Sequence, residues 1–360
     1  MQLPKNGLKL FLYSTLLLGW FFLCAFLSYT FFSFREVRVK PVGNLNGSFG
    51  VSPTKSPSGE GKNVILLGYG GGGHEGSLLT DALVIIRIDL ISKRAYLISL
   101  PRDTWVKIPS GGEEYKINNA FALGVSEGDF SAGFAKVKEV IAMVTGAPID
   151  YVVAVDFAEF KNIIDTLGGV EVEVPVAFDD YFYPIKGREN DTCGKSPAEI
   201  ADLHQLYSDT ELHHQFECRY EHIHFDTGAT LMDGGTALKF VRSRASSQHG
   251  GDFARSQRQV AVLSGIKEKL ISVNALTKVD ELFEQLGGLV KTDLDLVTLK
   301  NLLEVFGDPG LYTTSFIGLT TDNVFVAGKS ANGQFILIPK EGNGVWSGVQ
   351  NYIAEQVNSN

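Results

Sequence analysis

The sequence predicts an α/β protein: an α/β/α sandwich around a central mixed sheet, preceded by one N-terminal transmembrane helix. Two observations carry the sandwich. Short runs rich in Val, Ile and Leu alternate with segments whose apolar residues recur at helical spacing, and the runs are nearly continuous, as in strands buried on both faces. The third observation carries the anchor: from Leu10 to Phe34 there is no charged residue, a length sufficient to cross a hydrocarbon core as a helix.

Taken in order, residues 1–9 form a short cytoplasmic N-terminus and residues 10–34 a signal anchor. A cleaved signal peptide is the competitor, but Ala25-Phe26-Leu27-Ser28 offers no small-residue cleavage site. Charge leaves the orientation nearly tied, with Lys5, Lys9 and the α-amino group before the span and Arg35, Arg38 and Lys40 after it. Residues 35–62, rich in Gly, Ser, Pro and Asn toward their end, form a flexible tether. An extracytoplasmic domain over 63–360 follows. Strands are expected at Val64–Gly68, Ala82–Ile88, Arg94–Leu100, Val152–Val155 and Val170–Val174, and helices at Ser131–Thr145 and Phe157–Leu167. From about 179 to 225 periodicity weakens, which reads as an insertion. Helices are expected again at Met232–Val241, Phe253–Leu270 and Val345–Gln356, and strands at Tyr312–Ile317 and Gln334–Ile338.

A chain with 44% hydrophobic and 11% aromatic residues holds a sizeable core, so disorder is excluded as the default. Its net charge of −9 argues against nucleic-acid binding and makes a local basic cluster informative. Cys24 lies in the span, leaving Cys193 and Cys218 at the two ends of a polar insertion. That pair suits one disulfide in an oxidising compartment, with two separate buried thiols as the alternative.

The basic cluster is Arg242-Ser243-Arg244 followed by Asp252, Arg255, Arg258 and Gln259. On a helix, Asp252, Arg255, Ser256 and Gln259 share a face, and Val260, Leu263 and Ile266 are expected to enter the core. Arg suits phosphate because its planar fork donates two parallel hydrogen bonds. A solvated face is the bland reading, though such faces usually mix Lys with Glu. Arg102 and Asp103 end one strand, Asp81 opens another, and Lys116 precedes a helix. Sheet ends are where α/β sites gather, and a carboxylate beside phosphates can hold Mg²⁺. Gly70–Gly73 lack the Lys-Ser/Thr of a P-loop. His204, His213, His214, His222 and His224 match no closed zinc spacing and read as surface histidines.

In these residues the chain resembles the LytR–CpsA–Psr family of bacterial envelope proteins. The shared pieces run from Asn63-Val64-Ile65-Leu66-Leu67-Gly68 through Thr80-Asp81, Leu100-Pro101-Arg102-Asp103, Lys116-Ile117-Asn118 and Leu167-Gly168-Gly169-Val170 to Arg242-Ser243-Arg244 and Asp252 with Arg255, Arg258 and Gln259. The resemblance implies a phosphotransferase that moves a glycopolymer from a membrane-bound polyprenyl diphosphate carrier to a peptidoglycan acceptor, with Mg²⁺ at the diphosphate. It implies catalytic roles for Asp81, Arg102, Asp103 and Asp252, and Asp81 as metal ligand. Phosphate would be held by Arg102, Lys116, Arg242, Arg244, Arg255, Arg258 and Gln259. The family often has Asp where this chain has Gly70, and Arg where it has Leu79. Rival readings are a diphosphatase on the same carrier and a non-catalytic lipid-binding envelope regulator.

Overall fold

The computed structural model describes residues 61–72, 76–109, 112–272, 288–306 and 311–359. The expected anchor at 10–34 and nearly all of the tether lie outside the described residues, as do His74 and Glu75. Among the described residues no helix is long and apolar enough to cross a membrane. The chain forms two compact units, one of residues up to Leu167 and from Ile266 onward, the other Gly168–Gly265.

The first unit is built on a six-stranded mixed sheet. Its strands are β1 (Gly61–Tyr69), β2 (Thr80–Asp89), β3 (Arg94–Ser99), β6 (Tyr151–Asp156), β11 (Lys291–Thr292) and β12 (Thr313–Gly318), in the order β11-β6-β1-β2-β3-β12. The β1–β2 and β2–β3 pairs are antiparallel, while β1–β6 and β3–β12 are parallel. Four successive residues of β1, Val64 to Leu67, are buried. Alternate side chains point to opposite faces, so both faces of this strand are covered. Between β3 and β6 run the small hairpin β4 (Trp105–Lys107) and β5 (Glu114–Lys116), then helices α1 (Asn119–Glu127) and α2 (Phe130–Thr145). Asp129 caps α2 through the Ala132 amide, and Gly146 ends it at φ 72°. Helix α3 (Phe157–Thr166) follows β6 directly, capped by Asp156 at the amides of Ala158 and Glu159.

The second unit pairs β7 (Val170–Val174) with β10 (Gly228–Met232), and β8 (Phe178–Pro184) with β9 (Tyr220–Phe225). In β7 the three valines are buried while Glu171 and Glu173 are exposed, the alternation of a one-sided strand. Phe178, Phe225 and Phe240 meet at ring distances of 5.0 to 6.0 Å and form the unit's aromatic core. Helices α4 (Pro197–Leu206), with a Ser196–Glu199 capping box, and α5 (Asp209–His214) lie between β8 and β9. Helix α6 (Gly234–Arg242) starts at an Asp233 cap, and α7 runs Gly251–Ser272. Gly265 lets α7 cross β7 closely, because a Cβ there would meet the Glu171 carbonyl oxygen at 2.4 Å.

Two expectations change. The segment 179–225 is not irregular: its two ends pair as β8 and β9. Polar side chains obscure the alternation, and a bulge between Asp180 and Tyr183 breaks it. Met232 closes β10 and is not helical; the helix starts two residues later, after the capping aspartate.

The remainder of the chain adds α8 (Leu296–Phe306), the hairpin β13 (Phe325–Lys329) with β14 (Phe335–Pro339), and α9 (Ser347–Asn358), all in the first unit.

Cys193 and Cys218 are joined, 25 residues apart in sequence. Closing a loop of that size contributes about 3 kcal/mol. Non-reducing peptide maps of exported protein are expected to show the linked pair, and reduction to lower its melting temperature; two free thiols would contradict both.

Candidate active site

The basic residues of the second unit come together where α6 runs out and α7 begins. Arg242 ends α6, and Arg244 lies in the loop that reaches α7. Gly250 permits this loop, since a Cβ there would stand 2.0 Å from the Ser246 carbonyl oxygen. The Gly251 amide donates to the Arg244 carbonyl at 2.9 Å. Asp252, in the first turn of α7, holds Oδ1 2.7 Å from Arg244 Nη2 and 2.9 Å from Arg255 Nη2. The guanidiniums of Arg244 and Arg255 thus share the carboxylate of Asp252, and Arg242 ends α6 two residues before Arg244. The Arg255 side chain is 7% exposed, and its Nε finds no hydrogen-bond partner among the described residues. A buried donor without a partner costs about 1–3 kcal/mol, a cost that binding an anion would remove. Arg242 hydrogen-bonds the Tyr183 phenol, which burial pushes up against the pull of that charge.

In the first unit, Asp81, Arg102, Asp103 and Lys116 alternate in sign along one chain of contacts. Arg102 Nη1 donates to Asp81 Oδ1. Arg102 Nε lies 3.5 Å from Asp103 Oδ2, and Lys116 Nζ lies 2.6 Å from Asp103 Oδ1. The turn after β3 sets this order, with the Asn118 amide donating to the Arg102 carbonyl and the Thr80 amide to the Asn118 carbonyl. Asp103 is buried, whereas Asp81 is one-third exposed. Two cations and two carboxylates balance, so this set, unlike the arginine cluster, carries no excess charge.

One expected phosphate ligand is corrected. Arg258 is fully buried, and its guanidinium donates to the carbonyls of Phe240 (2.8 Å), His249 (2.6 Å) and Ser243. It also stacks over Phe178 at 4.7 Å. Burial pulls its pKa down to about 10, so it remains cationic at neutral pH. The reason lies in the helix phase. Ala254, Arg258, Val262, Ile266 and Leu270 recur every four residues and form the buried stripe of α7, while Val260 and Leu263 are only half-buried. Gln259 is half-buried beside that stripe, and Gln257 rather than Gln259 meets His249, at 2.9 Å.

Sequence reasoning passed over Asp180, on β8. It is 1% exposed, and its Oδ2 accepts from Ser243 Oγ (2.6 Å) and from the amides of Arg244 and Ala245 (3.1 Å each). The buried run of β8 and β9, had it been recognised, would have put a carboxylate inside the unit and demanded partners for it.

Two of the five histidines meet one carboxylate. Asp179 Oδ1 lies 2.8 Å from His222 Nε2 and 2.9 Å from His224 Nδ1, and His224 Nε2 reaches Asp226 at 3.2 Å. The Asp179 and Asp226 hydrogen bonds hold the His224 pKa up, and the two imidazoles hold Asp179 down. A raised histidine stabilises below its unfolded pKa and loses that contribution as pH rises through the folded value. A lowered aspartate stabilises above its unfolded pKa and loses it as pH falls through the folded value. The hairpin's electrostatic support is therefore complete only between about pH 4 and 6.5. An NMR titration is expected to show His224 titrating above the free imidazole and moving down in Asp179→Asn; an unchanged midpoint would refute the pairing.

Known proteins can be set beside this arrangement. The family model described as the LytR_cpsA_psr family matches residues 36–333. The polyisoprenyl-teichoic acid–peptidoglycan teichoic acid transferase TagV of Bacillus subtilis is 26% identical over 66% of this chain and 52% of its own length. The transferase of the same description, TagU, from Oceanobacillus iheyensis is 27% identical over 82% of this chain and 77% of its own. The chain thus spans about half the length of the first of these relatives. The crystal structure of B. subtilis TagV superposes with a TM-score of 0.55 at 23% identity, covering 83% of this chain and 97% of that one, and shares its fold. B. subtilis TagU does so at 0.51 and 21%, covering 82% and 96%. Because that family model matches residues 36–333 of 360, the chain belongs to the LytR–CpsA–Psr family.

Proposed function

We propose that this protein is a phosphotransferase that moves a glycopolymer from a polyprenyl diphosphate carrier to peptidoglycan at the outer face of the membrane. The observation that carries the reading is the arginine cluster: the guanidiniums of Arg244 and Arg255 on one carboxylate, Arg255 being buried with an Nε unpartnered among the described residues. Phosphoryl transfer asks a protein mainly for positioning and charge neutralisation. Relatives at 26–27% identity are named as teichoic acid transferases, which supports a polyanionic glycan as cargo.

Roles follow from chemistry. In the second unit Arg242, Arg244 and Arg255 are the residues suited to phosphate oxygens; in the first unit those residues are Arg102 and Lys116. Asp252 and Asp81 are the candidate proton acceptors for the attacking sugar hydroxyl. Asp103 orients Arg102 and Lys116, which it contacts directly. Asp81 fits Mg²⁺: it is a hard oxygen donor, partly exposed, paired among the described residues with Arg102 alone. Bound there, the ion would neutralise charge on the diphosphate. The diphosphate bond carries the driving force, so no nucleotide is required.

The deciding assay combines a polyprenyl-diphosphate sugar, a peptidoglycan fragment and the detergent-extracted full chain. Linked product with released polyprenyl phosphate supports transfer, and the Asp81→Asn change should lower both turnover and its Mg²⁺ dependence. Sugar phosphate released without acceptor would make the protein a diphosphatase; tight donor binding without turnover would make it a lipid-binding regulator.

Localisation belongs to the same reading. The uncharged 10–34 segment anchors the chain, and residues beyond it are extracytoplasmic. A phosphatase-type reporter fused after residue 62 is expected to be active and a cytoplasm-only reporter silent; the reverse pattern would refute the orientation.

A further inference from the structure

We propose that Asp180 is a positioning residue for the arginine cluster: a buried carboxylate on β8 that determines where Arg242 and Arg244 leave the backbone. The inference rests on the reading that these arginines hold phosphate, and goes beyond it in naming what holds them.

The loop after α6 is gripped from both sides. Its donors converge on Asp180, whose Oδ2 takes the Ser243 hydroxyl at 2.6 Å and the Arg244 and Ala245 amides at 3.1 Å each. Its acceptors converge on Arg258, which donates to the Ser243 carbonyl and to those of Phe240 and His249 on either side. An anion collecting N–H and O–H groups and a cation collecting carbonyls form the stronger, charge-assisted class of hydrogen bond. Both residues are at most 1% exposed, and the Asp180 charge acts on Arg258. Two buried ions of opposite sign thus enclose residues 243–245 within one unit.

The grip falls on the residues that matter. Arg244 is held by its own amide, and Arg242 immediately precedes Ser243, the residue held through both hydroxyl and carbonyl. The last bond of Asp180, from the Phe182 amide to Oδ1 at 2.9 Å, pins the bulge in β8. The strand that opens the disulfide-stapled excursion is therefore tied to the arginine loop by one side chain. Asp180 is buried and fully engaged, so it touches no substrate and acts through the loop. Positioning of this kind is worth a great deal in transfer reactions, where roughly 1 Å of displacement can cost about a hundredfold in rate.

A double-mutant cycle on the full chain tests this, reading donor kcat and KM beside a thermal melt. The single variants are Asp180→Asn, which keeps the shape and removes the charge, and Arg244→Lys. Should Asp180→Asn fail to fold, Ser243→Ala takes its place, since it removes one donor and leaves no charge without a counter-ion. Asp180→Asn is expected to lose about tenfold in kcat/KM. Added to Arg244→Lys it is expected to cost less than about twofold more, because the two changes damage one interaction. Losses that multiply in the double variant, or melts that account for the whole loss, would overturn the positioning role while leaving phosphate binding by Arg244 intact. Arg244→Lys at the parent rate would instead overturn the phosphate reading, and the Asp180 proposal with it.

Discussion

Replacing Arg255 by Lys will lower transfer by roughly 10- to 100-fold while the protein stays folded. The substitution keeps the positive charge and loses the planar fork, so what disappears is the second, parallel hydrogen bond to phosphate. Hydrogen bonds to charged groups contribute about 1.5–3 kcal/mol, and about 1.4 kcal/mol is tenfold in rate. Arg255 is the sharpest test in the cluster because it is nearly buried and its Nε is unpartnered among the described residues. In the absence of substrate that donor is unsatisfied, so Lys should leave the melting temperature level or raise it. Arg242→Lys and Arg244→Lys should fall in the same direction. Parent-rate transfer by Arg255→Lys would show that the cluster does not grip phosphate, and a collapsed melt would show that its role is structural.

Arg258→Met will have the opposite signature. This change removes the donors to three carbonyls and the counter-charge of Asp180, and its expected cost is ~3 kcal/mol. At about 2.1 cal/mol/K of unfolding entropy per residue, that corresponds in a chain of this size to a fall of about 4 °C in melting temperature. Activity should fall together with stability, because the loop that carries Arg242 and Arg244 loses the donor that grips its carbonyls. A parent-like melt accompanied by a raised donor KM would restore Arg258 to the phosphate ligands. The two arginines lie three residues apart on α7, and their predicted phenotypes separate binding from scaffold.

The extent of what the sequence reveals can be followed on this helix. Its existence and approximate span were legible, because apolar residues at spacing 3.6 are a local property of the chain. Its buried stripe was not. Val260, Leu263 and Ile266 make a plausible apolar face, and reading Arg258 as buried requires the carbonyls of Phe240, Ser243 and His249 to be already in place. Those acceptors belong to a helix end and a loop 9 to 18 residues away. No rule of periodicity places a cation in a core; only a set of converging acceptors does.

The same division holds across the molecule. The continuous Val, Ile and Leu runs of β1, β2 and β3 determined a sheet covered on both faces, since no other environment accommodates them. The charged residues that end or open those strands, Asp81, Arg102 and Asp103, were legible as a cluster because they abut strands that must be neighbours. The hairpin of β8 and β9 was hidden, because its inward positions alternate with Asp179, Tyr181, His222 and His224, and a bulge shifts the phase. With it went Asp180, which looks in sequence like one more acid in a polar stretch. Composition along the chain determines which segments must be buried; the pairing of distant strands decides which polar groups are buried with them, and a buried carboxylate or guanidinium is explained only by the partners that pairing brings.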